Sequence, residues 1–190
     1  MILKAYQQKK TLKKPLAPVP ELSLDPSCGL PIFCIQKHAA SHLHYDFRVE
    51  CQGVLISWAI PKGPSLNPYN KRLAIRVEDH PLAYRHFEGV IPPGNYGAGE
   101  VVLWDEGIYT LAGLKAKKDI ENACLKGLEK GHLEIELYGH KLKGGFVLQK
   151  WKKEKDKNWL LIKRKDQYVD LKIDVLEHTQ SVRTCFPNTF

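Results

Sequence analysis

From Ile32 onward the chain alternates apolar and polar residues in short runs, each ended by glycine or proline. A period of two marks strands with one face in a core. The runs predict strands over Ile32 to Gln36, Leu43 to Glu50, Val54 to Ile60, Leu73 to Val77 and Val101 to Trp104. Further strands are predicted over Leu133 to Tyr138, Phe146 to Leu148 and Trp159 to Ile162. Gly53, Pro61-Lys62-Gly63-Pro64, Pro92-Pro93-Gly94, Gly97-Ala98-Gly99, Gly107, Gly139 and Gly144-Gly145 read as the breakers between them. Helical spacing is clear only from about Lys118 to Lys130, where Ile120, Ala123, Cys124 and Leu128 share a face and Gly131 is the stop. Many short strands and an interior helix predict a mainly β fold: a closed or nearly closed barrel of antiparallel strands with one or two flanking helices.

Composition divides the chain without changing that class. Residues 1–30 are basic and then proline-rich, with Lys9, Lys10, Pro15, Pro18, Pro20 and Pro26, so they read as an arm rather than a long helix. The barrel is expected over 31–166 and a tail over 167–190. A balance of 29 Lys and Arg against 21 Asp and Glu, +8 in all, favours polyanionic partners such as nucleic acid. Five cysteines without a CxxC spacing suit reduced thiols and argue against a disulfide framework or a Cys-based zinc site. The start turns polar before a signal-peptide core forms and no run reaches membrane-spanning length, so a soluble, cytoplasmic protein is expected, with no membrane partner.

The chemistry concentrates on one strand. In His42-Leu43-His44-Tyr45-Asp46-Phe47-Arg48-Val49-Glu50 the alternation sends Leu43, Tyr45, Phe47 and Val49 to a core and His44, Asp46 and Arg48 to the other face. His38 lies six residues before His44, where a turn can return its ring to the same face. Two imidazoles and a carboxylate suit a divalent transition ion such as manganese, zinc or iron, and His42, of equal parity, is a rival ligand. The bland alternative is a solvated polar strand face.

Around this strand stand candidate anion groups. Arg48 presents forked donors suited to phosphate oxygens, or else pairs with Glu50. Lys62 sits on a turn stiffened by two prolines, and Arg72 and Arg76 are expected on the polar face of a strand whose apolar residues are Leu73, Ile75 and Val77. In Glu78-Asp79-His80-Pro81-Leu82-Ala83-Tyr84 a histidine able to protonate a leaving oxygen adjoins a phenol able to bond a phosphate oxygen; a turn with a satisfied histidine is the alternative. The Gly94 to Gly99 segment lacks a P-loop lysine and reads as a tight turn. Trp151 and Trp159 among lysines suit either a nucleic-acid contact or a hairpin whose tryptophans fill the core.

The segments Phe33 to Arg48, Ser57-Trp58-Ala59-Ile60-Pro61-Lys62-Gly63-Pro64-Ser65, Glu78-Asp79-His80-Pro81-Leu82, Phe87 to Asp105 and Trp159-Leu160-Leu161-Ile162-Lys163, in that order, closely resemble the 3′-phosphoesterase domain of bacterial DNA ligase D. The resemblance implies a β-barrel whose cavity holds one manganese ion, with zinc or another divalent transition metal as substitutes. It implies processing of DNA 3′ ends at breaks: a phosphodiesterase step removes a terminal ribonucleotide, and hydrolysis of the remaining 3′-phosphate leaves a 3′-hydroxyl ready for ligation. On matching positions it makes His38, His44 and Asp46 the metal ligands and leaves His42 outside the set. Arg48, His80 and Tyr84 become the catalytic group on the phosphate, with Lys62, Arg72 and Gln36 as phosphate or substrate supports. The implied partners are DNA or RNA-tailed DNA 3′ ends and a separate ligase and polymerase, since this chain has no room for those modules.

The arm departs from the family, which carries a basic-acidic pair and a glutamate there, whereas this chain reads Lys9-Lys10-Thr11-Leu12-Lys13-Lys14-Pro15. Phosphomonoesterase activity is therefore expected to be retained, and the ribonucleotide-removing step is the one in question. Two other classes compete. His44 and Asp46 with a distant His80 or His140 fit the facial triad of non-haem iron oxygenases, although the ring of Arg48, Lys62 and Arg72 argues for an anion. The other is a DNA-end-binding module without chemistry.

Overall fold

The computed structural model describes residues 29–151, 157–171 and 180–182. Its strands are β1 (Ile32–Ala39), β2 (Leu43–Cys51), β3 (Val54–Ile60), β4 (Lys71–Arg76), β5 (His80–Pro81), β6 (Gly89–Ile91), β7 (Gly99–Thr110), β8 (His132–Gly139), β9 (Lys143–Lys150) and β10 (Asn158–Lys163). A 3₁₀ turn covers Leu82–His86, and helix α1 covers Lys117–Lys130 between β7 and β8. The strands pair in the order β1-β2-β3-β4-β10-β9-β8-β7, and β7 pairs back onto β1. Every pairing is antiparallel. The result is a closed eight-stranded barrel, as the runs of alternating residues predict. Strands β5 and β6 are short additions, β5 on β3 and β6 on β7.

The barrel interior is one apolar cluster to which every barrel strand contributes, with Phe33, Phe47, Trp58, Trp104, Phe146 and Leu161 among its members. Helix α1 adds Ile120 and Cys124 to it, one turn apart on the buried face. The helix ends as expected at Gly131, left-handed at φ 72°, whose N–H returns to the carbonyls of Gly127 and Leu128. Among the described residues no helix is long and apolar enough to cross a membrane.

Several elements run longer than their sequence signals. Gly107 lies inside β7 and Gly144-Gly145 inside β9, rather than between strands. Close backbone approach explains Gly107: it pairs with Gly139, and a Cβ on it would fall 2.2 Å from the carbonyl oxygen of Tyr138. Face assignment in β4 is inverted relative to expectation. Ala74 is the fully buried residue, while Leu73 and Ile75 are half-buried. Arg72 and Arg76 share the inward register of Ala74, with Arg72 opposite the core residue Leu161. Arg76 stacks over Trp58, its guanidinium carbon 5.3 Å from the ring, and pairs with Asp79. Trp159 is in the core while Trp151 is exposed. The arm up to residue 28, the lysines at 152, 153 and 155, and most of the tail lie outside the described residues. Of the tail, Val182 is buried with Cys34, Leu55 and Leu103 on the outside of the barrel wall.

Asp105 ties β7 to the loop that follows β8. Its carboxylate accepts the backbone N–H groups of Glu106, His140 and Lys141 on Oδ1 and that of Leu142 on Oδ2, at 2.8–3.0 Å. Asp105→Asn turns one acceptor into a donor facing these N–H groups. It is expected to lower the unfolding free energy by roughly 1–3 kcal/mol in a urea titration.

Candidate active site

The β1-β2 hairpin sets His38 opposite His44 and Gln36 opposite Asp46. Because paired residues share a face, Gln36, His38, His44, Asp46 and Arg48 all stand on the side of the sheet away from the apolar interior. The site is therefore on the outer face of the barrel wall, not in a central cavity as expected, because aromatic and aliphatic side chains occupy the interior. The segment from Val77 to Gly99 folds over this face. It reaches there because β3 changes partners, pairing with β4 at Trp58 and Ala59 and with β5 at Val54 and Leu55.

His38 Nδ1 lies 3.6 Å from one Asp46 oxygen and His44 Nε2 lies 3.6 Å from the other. One ligand atom from each of the three residues falls within 4.8 Å of the others. The opposite ring nitrogens meet carbonyl oxygens: His38 Nε2 that of Gly97 at 2.8 Å, and His44 Nδ1 that of His42 at 3.0 Å. A carbonyl only accepts, so each of these nitrogens carries the proton and the lone pairs at His38 Nδ1 and His44 Nε2 face Asp46. Two imidazoles in opposite tautomers and one carboxylate make a donor set fit for a divalent transition ion. His42 takes part through its backbone carbonyl, and its side chain is not in the cluster. Burial works against the Asp46 charge, but the Arg48 guanidinium beside it is the largest opposing influence, and the carboxyl is held down at about 2.

Arg48 is 3% exposed and fixed on several sides. Its Nε donates to Gln36 Oε1 at 2.8 Å, Nη1 to Ser57 Oγ at 2.9 Å and Nη2 to Asp46 Oδ2 at 3.1 Å. Nη1 also lies 2.9 Å from His80 Nδ1, which is 2.8 Å from the carbonyl of Glu78. Arg48 can only donate and Glu78 O can only accept, so His80 Nδ1 satisfies one at a time. When it accepts from Arg48, the neutral ring carries its proton on Nε2.

Tyr84 completes this side. Its ring stands 5.1 Å from that of His80, stacks on Phe87 at 5.0 Å, and faces the Arg48 guanidinium at 5.3 Å. Burial, against the pull of Arg48 and helped by Asp46, raises the Tyr84 pKa and keeps the phenol protonated. Gln36, fully buried, donates to the carbonyls of Tyr84 and Phe87 at 3.0 and 2.9 Å while accepting from Arg48. It holds the 3₁₀ turn down on the barrel. Cys34, opposite Arg48 in register, is a buried thiol pushed up to about 12, chiefly by desolvation, and has no nucleophilic character.

The other candidates stand apart. Lys62 is exposed on the turn after β3, at the end of the sheet where Ile60 pairs with Tyr45, next to His44. Arg72, on the inward register, is on the opposite side of the sheet from Arg48. His140 belongs to the Asp105 loop and is outside the three-residue cluster. Sequence reasoning missed Ser57, although a single hydroxyl in the apolar run Val54 to Ile60 was a usable signal. It also missed Gly97, whose contribution is a backbone carbonyl and leaves no trace in residue type.

A closed barrel thus bears on its outer wall a His-His-Asp donor set fit for a metal ion beside a buried arginine fit for an anion. Residues 36–150 match the family described as the DNA ligase D 3′-phosphoesterase domain. The chain belongs to that family. It is 47% identical over 165 residues to a multifunctional non-homologous end joining protein LigD of Pseudomonas aeruginosa, covering 86% of this chain and 19% of that protein. With the LigD proteins of Mycolicibacterium smegmatis and Mycobacterium tuberculosis the identities are 37% and 38%, each over 87% of this chain and 21% and 20% of theirs. The chain thus spans about a fifth of the length of these relatives.

Gly97, at φ 76°, has its Cβ position 3.5 Å from His38 Cε1. Gly97→Ala is expected to shift the carbonyl that orients His38 and to weaken any divalent-metal binding at the cluster about 10-fold or more, read by calorimetric titration, with the fold retained by circular dichroism.

Proposed function

We propose that this protein is a manganese-dependent phosphoesterase that hydrolyses DNA 3′-phosphate to 3′-hydroxyl and so prepares broken ends for joining. The observation that carries the reading is the Asp46 carboxylate shared between two oriented imidazoles and the buried Arg48, which sets a cation site and an anion clamp side by side. Family membership and the names of the relatives support the choice of a DNA 3′ end.

In this reading His38, His44 and Asp46 hold the metal. When bound, the ion supplies Lewis-acid charge neutralisation of the phosphate oxygens. Arg48 binds the phosphate through the Nη2 edge beside Asp46, its other edges being held by Gln36 and Ser57. That prior fixation means the guanidinium does not reorganise as charge develops. As the imidazolium, with Nδ1–H donating to the Glu78 carbonyl, His80 protonates the leaving oxygen from Nε2; as the neutral ring that accepts from Arg48, it orients the phosphate through Nε2–H, and the Tyr84 phenol donates to a phosphate oxygen. Lys62 reaches the DNA backbone beyond the terminal phosphate. Gln36 acts as a positioning residue, and Arg72, on the other side of the sheet, is left out of the phosphate-binding group. The partners proposed are DNA or RNA-tailed DNA 3′ ends, with a DNA ligase and a polymerase acting on the product.

His80 lies against Arg48 and His140 is outside the cluster, so the iron oxygenase reading would have to take His38 as its second histidine; the buried Arg48 beside the cluster favours an anionic substrate over that reading. A non-catalytic end-binding module is the remaining competitor.

A primer-template ending in 3′-phosphate tests the proposal. Manganese-dependent phosphate release is expected, abolished by chelation and restored by added metal. His44→Ala and His80→Ala are each expected to lower it roughly 100-fold or more. No release by the unaltered protein across several divalent metals would leave the end-binding reading. On a primer ending in one ribonucleotide, nucleoside release much slower than 3′-phosphate hydrolysis is the expected consequence of the divergent arm.

A further inference from the structure

We propose that Tyr96 is the stacking platform for the base of the 3′-terminal nucleotide, an inference that rests on the DNA 3′-end reading above. Tyr96 is 86% exposed, the most exposed large apolar or aromatic side chain among the described residues, so both ring faces can be reached by a base. The loop that displays it is stiff. Pro92-Pro93 opens it, Gly94 is left-handed at φ 86°, and Asn95 N–H and Ala98 N–H donate to the carbonyls of Pro92 and Asn95. The next residue, Gly97, touches the metal-ligand cluster through the 2.8 Å contact of its carbonyl with His38 Nε2.

Consecutive Cα atoms are about 3.8 Å apart, so the Tyr96 backbone is one step from the backbone that bonds His38. Other exposed aromatic residues, such as Tyr69 beneath Lys165, and Tyr138, lack this connection to the cluster. A 3′-phosphate and the base of the same nucleotide are separated by a single sugar. A phosphate held at Arg48 and the cluster therefore keeps its base within about one nucleotide of the loop that carries Tyr96. Stacking on an aromatic face tolerates every base, which fits an enzyme that meets breaks of any sequence.

Two measurements test this. The first compares phosphate release from a 3′-phosphate primer with release from the same primer ending in an abasic tetrahydrofuran nucleotide. Tyr96→Ala is expected to raise KM roughly 5- to 150-fold on the first and to leave the second unchanged, with Tyr96→Phe near the unaltered protein on both. An equal loss on both primers, or no loss on either, overturns the proposal. The second places 2-aminopurine at the terminal position and reads its fluorescence on binding, with no turnover required. Quenching by the unaltered protein and by Tyr96→Phe but not by Tyr96→Ala supports stacking, and equal quenching by all three overturns it. An unaltered protein that quenches the probe but releases no phosphate would refute the esterase reading while leaving the stacking result decisive.

Discussion

A guanidinium sealed from water governs this structure. Arg48 is always charged, and leaving it buried without partners would cost several kcal/mol. The fold answers with Gln36 from β1, Ser57 from β3, Asp46 on its own strand, and His80 from β5. Those partners come from chain segments separated by up to 44 residues, so the charge is compensated only when the strands and the returning segment are all in place. The same contacts carry the candidate chemistry. Asp46 is held ionised by Arg48, and Gln36 passes the constraint on to the carbonyls of Tyr84 and Phe87.

The placement of the site on the outer wall follows from how the barrel is filled. Bulky side chains such as Trp58, Trp104 and Phe146 occupy the lumen, so no polar pocket can open there. The opposite face of β1, β2 and β3 is left to be covered by the segment between β4 and β7. That cover packs its own Tyr84, Phe87 and Ile91 with Val101 of β7 in a small apolar cluster. It also brings one carbonyl, at Gly97, that orients a candidate ligand. His38, His44, Asp46 and Arg48 thus stand on β ladder, while His80 and Tyr84 come from the covering segment.

Legibility in the sequence depended on how local each signal was. Alternation along Leu43 to Glu50 put His44, Asp46 and Arg48 on one face, and that is how they stand. Strand β4 was misread because Leu73 and Ile75 are larger and more apolar than Ala74, yet Ala74 is the residue that fits against the packed wall. Gly107 looked like a break because glycine usually ends strands, and only the crossing of β8 at Gly139 explains it as a strand residue. The two-residue β5 and three-residue β6 are too short for any periodicity to register.

By itself the sequence determined which residues alternate, where the helix ends, and that two histidines, a carboxylate and an arginine crowd one short strand and its hairpin. These are consequences of spacing along a chain whose side-chain period is fixed by backbone geometry. The tertiary structure alone decided which face is the wall and which the lumen, that β3 exchanges β4 for β5 so that His80 meets Arg48, and that Gln36 braces a turn 48 residues away. Those outcomes depend on barrel closure and on compensating a buried charge, conditions that no local stretch of sequence contains.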